Sequence, residues 1–317
     1  RHSVGRDEFY GMCAAAGLKG RDAGAAWEAL SGSAGYGFCR AHAYAYAAVA
    51  CVSAFLKATR PAGFMAAVLA GGGGFYDTAT YVEEARRLGL KILPPGVNSS
   101  SWGARPVPGG VMLGMSCVRG MGRAEFERLL SARPVRHPAD VLEAGCGRRL
   151  LRVMARGGCF DELGMRRSQA LWGVECPSSR LFRETGWSVP DLPDHTPEDR
   201  AVMEAESLGV PASMSLLSTV ERPQGTVEAS AVDGRFPACV WGRAATWRRL
   251  DGGGFLMLQD GTGVVDVFVP GGLFGRALVL LRRPGMTLVA RVVPARGGRY
   301  RATEVRPGPL TPCAALV

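Results

Sequence analysis

Residues 238–269 read ACVWGRAATWRRLDGGGFLMLQDGTGVVDVFV, and the architecture of the C-terminal third turns on them. Ala238 to Leu250 alternates in the period of two that a half-buried strand requires. Gly252-Gly253-Gly254 makes a turn, and Phe255 to Leu258 and Val264 to Val269 read as two further strands. Beyond them the pattern predicts a helix near Leu273 to Leu281 and strands at about Thr287 to Val293 and Tyr300 to Val305. Five strands with one helix between the third and fourth is the layout of an OB-fold barrel, expected over residues 236–317.

Upstream of Phe236 the grain differs. Residues 184–206 hold seven acidic side chains against Arg200 alone, with Pro190, Pro193 and Pro197. They read as a solvated acidic connector, placed at 184–235. Residues 1–105 are mostly helical by pattern. Two short helices lie within 6–30, a helix runs from about Ala41 to Thr59 and stops before Arg60-Pro61, and others follow at Ala62 to Leu69 and Thr78 to Leu88. The apolar run Ala43 to Leu56 covers fourteen residues, short of the ~20 needed to cross a bilayer, and predicts a buried helix.

Composition fits this multidomain plan. The chain has 317 residues, of which 47% are hydrophobic and 21% charged, enough apolar material for a sizeable core and for two or three domains. Glycine and proline are frequent but lack a period, which excludes a collagen-like chain. A formal charge of +10 makes a polyanion the first partner to expect, ahead of an anionic membrane surface. Nine cysteines include no CxxC pair, so no zinc site is expected, and they read as reduced thiols of a cytoplasmic protein. No signal peptide is recognisable, and an opening Arg-His-Ser without Met suggests a piece of something longer.

Two basic regions carry the chemistry. Val118-Arg119-Gly120-Met121-Gly122-Arg123 has the apolar-x-Gly-x-Gly form of a helix-hairpin-helix. Its glycines let the backbone approach a phosphate, and the helix start supplies free N–H donors. A second unit is read where Gly157-Gly158 follows Arg148, Arg149, Arg152 and Arg156, giving a tandem hairpin domain over 106–183. Paired hairpins grip duplex backbones without reading bases; a tight turn and a merely solvated arginine face are the plainer alternatives. In the barrel, Trp241, Trp247 and Phe255 lie among Arg243, Arg248 and Arg249. Bases stack on such rings at ~1–3 kcal/mol each while arginines follow the strand. Alternation puts 241, 243, 247 and 249 on one face and 248 on the other, so the tryptophans serve equally well as core.

Chemistry that makes or breaks phosphodiesters draws on clustered carboxylates holding two metals. Neither Asp-x-Asp, a Ser-His-Asp arrangement nor a P-loop is present, so the chain reads as one that binds rather than reacts. At the entry of the apolar helix, Arg40 and Tyr44 share a helix face, as do His42 and Tyr46. A cation beside aromatics suits a triphosphate and base, although a lone histidine is more often a satisfied core residue.

The string Gly35-Tyr36-Gly37-Phe38-Cys39-Arg40-Ala41-His42-Ala43-Tyr44-Ala45-Tyr46-Ala47 resembles the fingers motif of the bacterial DNA polymerase III alpha family. The resemblance continues through Phe55-Leu56-Lys57, Pro61 to Ala67 and Glu84 to Pro95, then through the hairpin and barrel in the family's order. It implies a C-terminal portion of such a polymerase: fingers over 1–105, tandem helix-hairpin-helix, then the OB domain. Gly73-Gly74-Phe75-Tyr76 and the short tail look closer to the error-prone branch.

By resemblance, Arg40, His42, Tyr44 and Tyr46 hold the incoming deoxynucleoside triphosphate. Arg40 stands where the family has Lys, while His42 and Tyr46 match; Cys39, Ala41 and Tyr44 depart from its Asn, Ser and Ala. Implied partners are duplex primer–template and single-stranded template DNA, with no membrane. No cofactor is expected on this chain, magnesium being implied for a palm domain outside it. No glutamine-led clamp peptide occurs in Leu171 to Pro193, so a sliding-clamp contact is not indicated. The expected function is nucleotide positioning and DNA binding within error-prone, lesion-bypassing synthesis, the chain by itself being inactive. The alternative is a standalone nucleic-acid-binding module.

Overall fold

The computed structural model describes residues 5–18, 20–32, 40–175, 190–282, 285–295 and 299–312. Gly35 to Cys39 of the motif and Cys176 to Val189 of the region searched for a clamp peptide lie outside the described residues.

A helical unit comes first: α1 (Arg6–Ala15), α2 (Arg21–Gly32), α3 (Arg40–Thr59), α4 (Pro61–Ala70) and α5 (Thr78–Arg87). Pro61 opens α4 at a position where its missing N–H costs nothing. Asp77 caps α5 by accepting from the Thr80 N–H at 2.7 Å. Three short strands, β1 (Lys91–Leu93), β2 (Arg105–Val107) and β3 (Gly110–Met112), form a sheet in which β3 runs parallel to β1 and antiparallel to β2. Then come α6 (Arg123–Ala132), α7 (Pro138–Glu143), α8 (Arg148–Arg156), α9 (Arg167–Glu175) and α10 (Pro197–Leu208). One core runs through this unit, with Met65, Val82, Met115, Leu129, Met154 and Phe160 fully enclosed.

Two expectations change here. The apolar helix α3 is not buried: Tyr44 is 78% exposed and Phe55 66%, and the helix contains no buried residue. Apolar content gave the expectation of burial, but no surface among the described residues covers the helix. The acidic connector is also not wholly solvated. Its helix α10 packs on α8 with Met203, Glu204, Ala205 and Leu208 buried, and Leu208, Val210 and Ala212 join the helical core.

The second unit is a closed barrel of β4 (Ala238–Leu250), β5 (Gly253–Gln259), β6 (Val264–Pro270), β7 (Met286–Pro294) and β8 (Tyr300–Leu310), in the order β4-β5-β6-β8-β7 with β7 returning to β4. Helix α11 (Gly271–Leu281) lies between β6 and β7 in sequence and brings Phe274 and Ala277 to a core of Val240, Leu256, Val267 and Leu288. The strand and helix expectations hold to within a few residues.

The units are bolted together where β4 and β5 meet the start of α5. The Arg243 guanidinium donates to both Asp77 carboxylate oxygens at 2.9 and 3.0 Å, and Gln259 Nε2 donates to the Thr80 carbonyl at 3.4 Å. Inside the barrel unit, Asp260 is fully buried and accepts from the Ala229, Thr262 and Gly263 N–H groups and from Arg222. Burial pushes both carboxyls up, but these donors outweigh it and hold Asp77 and Asp260 below the ordinary carboxylate value of 3.8. A folded pKa held down contributes stability that is complete above the unfolded value and disappears as pH falls through the folded one. The thermal midpoint is therefore expected to stay level above about pH 5 and to fall below about pH 4. Asp77→Asn and Asp260→Asn should each make that acid limb shallower in a calorimetric series; an acid limb identical to the parent's in both variants refutes the assignment.

Candidate nucleic-acid interface

The first hairpin is built as its sequence suggests. The Met121 N–H closes a turn on the Val118 carbonyl at 3.0 Å, with Gly120 at φ 85°, a conformation that side chains resist. Met121 drops into the core, and Gly122 becomes the N-cap of α6 without any side-chain cap. No side chain bonds the first N–H groups of α6 at the cap, the donor set that receives a phosphate at a helix start, but the Glu125 carboxylate lies beside Gly122, close enough that a Cβ there would meet it, and an arriving phosphate has to displace it. Arg119 and Arg123 are both exposed, and the Arg123 guanidinium lies 4.1 Å from the Trp102 ring centroid. That stacking fixes a cation beside the free N–H groups.

The second hairpin is not where sequence reasoning put it. Gly157 and Gly158 are buried; a Cβ on Gly157 would meet Leu208, and one on Gly158 would meet the Arg167 guanidinium. The turn faces α10 and cannot approach a backbone phosphate. Arg156 is ion-paired with Glu206, and Arg152 with Glu175. Of the arginine face of α8, Arg148 and Arg149 remain exposed, and the charge of Arg148 acts on Glu175 more weakly than the bonded Arg152 does.

The true counterpart is Gly145-Cys146-Gly147-Arg148. Gly145 has φ 89°, Cys146 is 2% exposed, and Gly147 is the N-cap of α8, again with no side-chain cap. Turn glycine, buried middle residue, cap glycine and exposed arginine repeat those of 120–123. The signal was in the sequence, as a second Gly-x-Gly-Arg. Burial raises the Cys146 thiol pKa, so no thiolate opposes an anion there. The hairpins are also joined: Arg128 Nη1 of α6 reaches the Gly145 carbonyl at 3.5 Å, and Cys146 Sγ reaches the Glu125 carbonyl at 3.6 Å. These contacts join two helix starts with four exposed arginines, 119, 123, 148 and 149.

On the barrel the expected residues separate. Trp241 is 4% exposed and donates from Nε1 to Thr287 at 2.9 Å, so it is a core residue with a satisfied N–H. Arg243 is spent on Asp77 and Thr80. These two corrections share a cause: the outer face of the first half of β4 is covered, by Leu217 and by α5. A bulge between Ala244 and Thr246 then reverses the strand's parity. Past it, Arg248 pairs with Phe255 on the outer face, while Trp247 and Arg249 pair with Leu256 and Gly254, whose neighbours face inward. Trp247 is nevertheless 51% exposed where the strand overruns the barrel, edge-on to Phe274. Arg248 and Arg249 are exposed and Phe255 half-buried. Arg299, absent from the expected set, stands over the Phe255 ring at 5.1 Å.

On α3, the His42 and Tyr46 rings meet at 4.4 Å between centroids with their planes tilted by 57°, on one face as their spacing predicts, and Arg40 and Tyr44 are exposed. Among the described residues there is no group of three or more His, Cys, Asp or Glu that could hold a metal ion, and no helix long and apolar enough to cross a membrane.

A helix-hairpin-helix motif family matches residues 89–170, which include both glycine hairpins. Over 302 residues, 91% of this chain, the sequence is 30% identical to an error-prone DNA polymerase of Corynebacterium diphtheriae, 28% of whose length is covered. An error-prone DNA polymerase of Ralstonia nicotianae is 38% identical over 57% of the chain and 18% of that protein. A DNA polymerase III subunit alpha of Saccharopolyspora erythraea is 35% identical over 44% of the chain and 12% of that protein. The chain spans less than a third of the length of each of these relatives. The shared length of sequence, with the hairpin motif inside it, makes the chain a C-terminal portion of the bacterial DNA polymerase III alpha family, related to its error-prone members.

Proposed function

We propose that the chain is the DNA-handling part of an error-prone, DNA-directed DNA polymerase. The observation that carries this reading is the pair of uncapped Gly-x-Gly helix starts, each followed by an exposed arginine and joined through Arg128. A duplex backbone needs such donors and makes no demand for base-reading groups. The barrel, five strands with a helix between the third and fourth, fits an OB-fold and takes the single-stranded template. Arg40, His42, Tyr44 and Tyr46 face solvent on α3, where an incoming deoxynucleoside triphosphate can meet them. Magnesium and the carboxylates that bind it are assigned to a palm domain outside this chain, and the location is cytoplasmic. A sliding-clamp contact is not part of the proposal.

The wide exposure of α3 favours this reading over a standalone binding module. Tyr44, Val49, Val52 and Phe55 present apolar area that an independent module would bury. The test is a pair of assays on the purified chain with a primed template. Salt-sensitive binding without primer extension, in magnesium and all four nucleotides, is the expected result. Extension by the chain alone would overturn the division of labour, and absence of binding at low salt would overturn the DNA-handling role.

A further inference from the structure

We infer that one unpaired base of single-stranded DNA is held in a groove between the two units, with Phe75 as one jaw and Phe255 as the other. This deepens the reading of the barrel as a single-strand surface and rests on it. The groove has a volume of about 330 Å³ and is lined by Phe75, Trp247, Arg248, Phe255, Met257 and Arg299.

Each jaw is a ring braced by a neighbouring side chain. Phe255 carries Arg299 over its ring and stands edge-on to Phe268 at 5.6 Å. Phe75 is 74% exposed, an unusual state for phenylalanine in a folded chain. It is not loosely placed, because its ring meets Tyr76 edge-on at 5.1 Å and Tyr76 meets Tyr81 at 5.9 Å. The glycines before it bring the loop close to Tyr81: a Cβ on Gly74 would come within 2.8 Å of the Tyr81 hydroxyl, and Gly73 has φ 85°. The loop therefore presents an aromatic ring across the units toward the barrel's outer face.

Chemistry selects the occupant. Two π faces suit a flat ring, and Arg248 and Arg299 supply positive charge for the phosphates on either side of it. The one acidic lining residue, Asp266, sits across from Met257; burial raises the Tyr76 pKa, and the charge of Asp266 adds to it. A duplex cannot offer a base here without unstacking it, so the groove discriminates for single strands. Because Phe75 belongs to the helical unit, the Arg243–Asp77 clamp sets the width of the groove.

The test uses the full chain and a dye-labelled oligothymidylate, with a blunt duplex as control, in fluorescence anisotropy. Phe75→Ala and Phe255→Ala are each expected to weaken single-strand binding by about 5- to 150-fold, the equivalent of one stacked base. The double variant should be little weaker than the worse single one, since both rings hold the same base. Duplex affinity should not change, and Phe75→Trp should retain single-strand binding. If Phe255→Ala weakens binding and Phe75→Ala does not, the barrel reading stands and the two-jawed groove is overturned. If the parent chain does not bind oligothymidylate, the barrel reading itself fails. Phe75 is exposed, so its substitution leaves the fold intact and the comparison stays decisive.

Discussion

Replacing Glu204 by alanine is expected to destabilise the helical unit by about 3–5 kcal/mol, the cost of breaking a buried charge pair from one side. Glu204 is fully buried and its Oε1 accepts from Arg167 Nη2 at 2.6 Å; Arg167 is itself 3% exposed. Its other oxygen accepts from the Ala212 and Ser213 N–H groups at 2.7 Å and from the Ser213 hydroxyl at 2.9 Å. Alanine leaves the Ala212 N–H and part of a guanidinium buried without an acceptor, while the Ser213 N–H, on an exposed residue, can turn to water. Asp161 still pairs with Arg167 at 2.9 Å, which keeps the loss from being larger. Glu204→Gln removes the charge but keeps an acceptor for the backbone donors, so its cost should be clearly smaller. Urea denaturation of the two variants beside the parent checks this. Equal midpoints for alanine and parent would show that the cluster contributes nothing net.

That cluster was illegible in the sequence for a definite reason. Glu204 stands in a run of seven acidic residues, and charge density reads as solvation unless the partner is known. Arg167, 37 positions earlier, looked like one more arginine on a basic surface. Pairing over such a distance leaves no local trace. The barrel was the opposite case. Period-two alternation and glycine turns act within a few residues, and β4 came out at Ala238–Leu250 with both boundaries as expected.

Which face of β4 meets solvent was not legible, because one extra residue near Ala245 reverses every side chain after it. Covering of the outer face by α5 and Leu217 then took Trp241 and Arg243 out of the binding set, though both have the residue types that single strands use. The second hairpin failed differently. Gly145-Cys146-Gly147-Arg148 was plainly readable, but the arginines of α8 drew attention to the glycines after that helix instead of those before it. For α3, apolarity predicts burial and the structure shows none, because a hydrophobic run states a preference and carries no information on whether a covering surface is at hand.

Removing all four exposed arginines of the hairpins should have the largest effect on DNA. Arg119, Arg123, Arg148 and Arg149 lie on the exposed side of two linked helix starts, and none is itself a core residue, Arg123 touching the core's edge only through the Trp102 ring. Each phosphate neutralised contributes ~0.9 to the slope of log affinity against log salt. Changing the four to alanine is therefore expected to lower that slope by roughly 3 to 4. Between 50 and 200 mM salt these contacts account for about 10²-fold of the parent's loss of duplex affinity, so the variant should be correspondingly less salt-sensitive and much weaker at low salt. The control is the pair Arg152 and Arg156, on the same helix but bound to Glu175 and Glu206. Their substitution removes an acid-paired cation in each case and should move the slope little. Titrating a labelled duplex at four or five salt concentrations distinguishes the sets. Equal slopes for the two variants would mean that arginine number alone, and not the hairpin geometry, governs how this chain meets DNA.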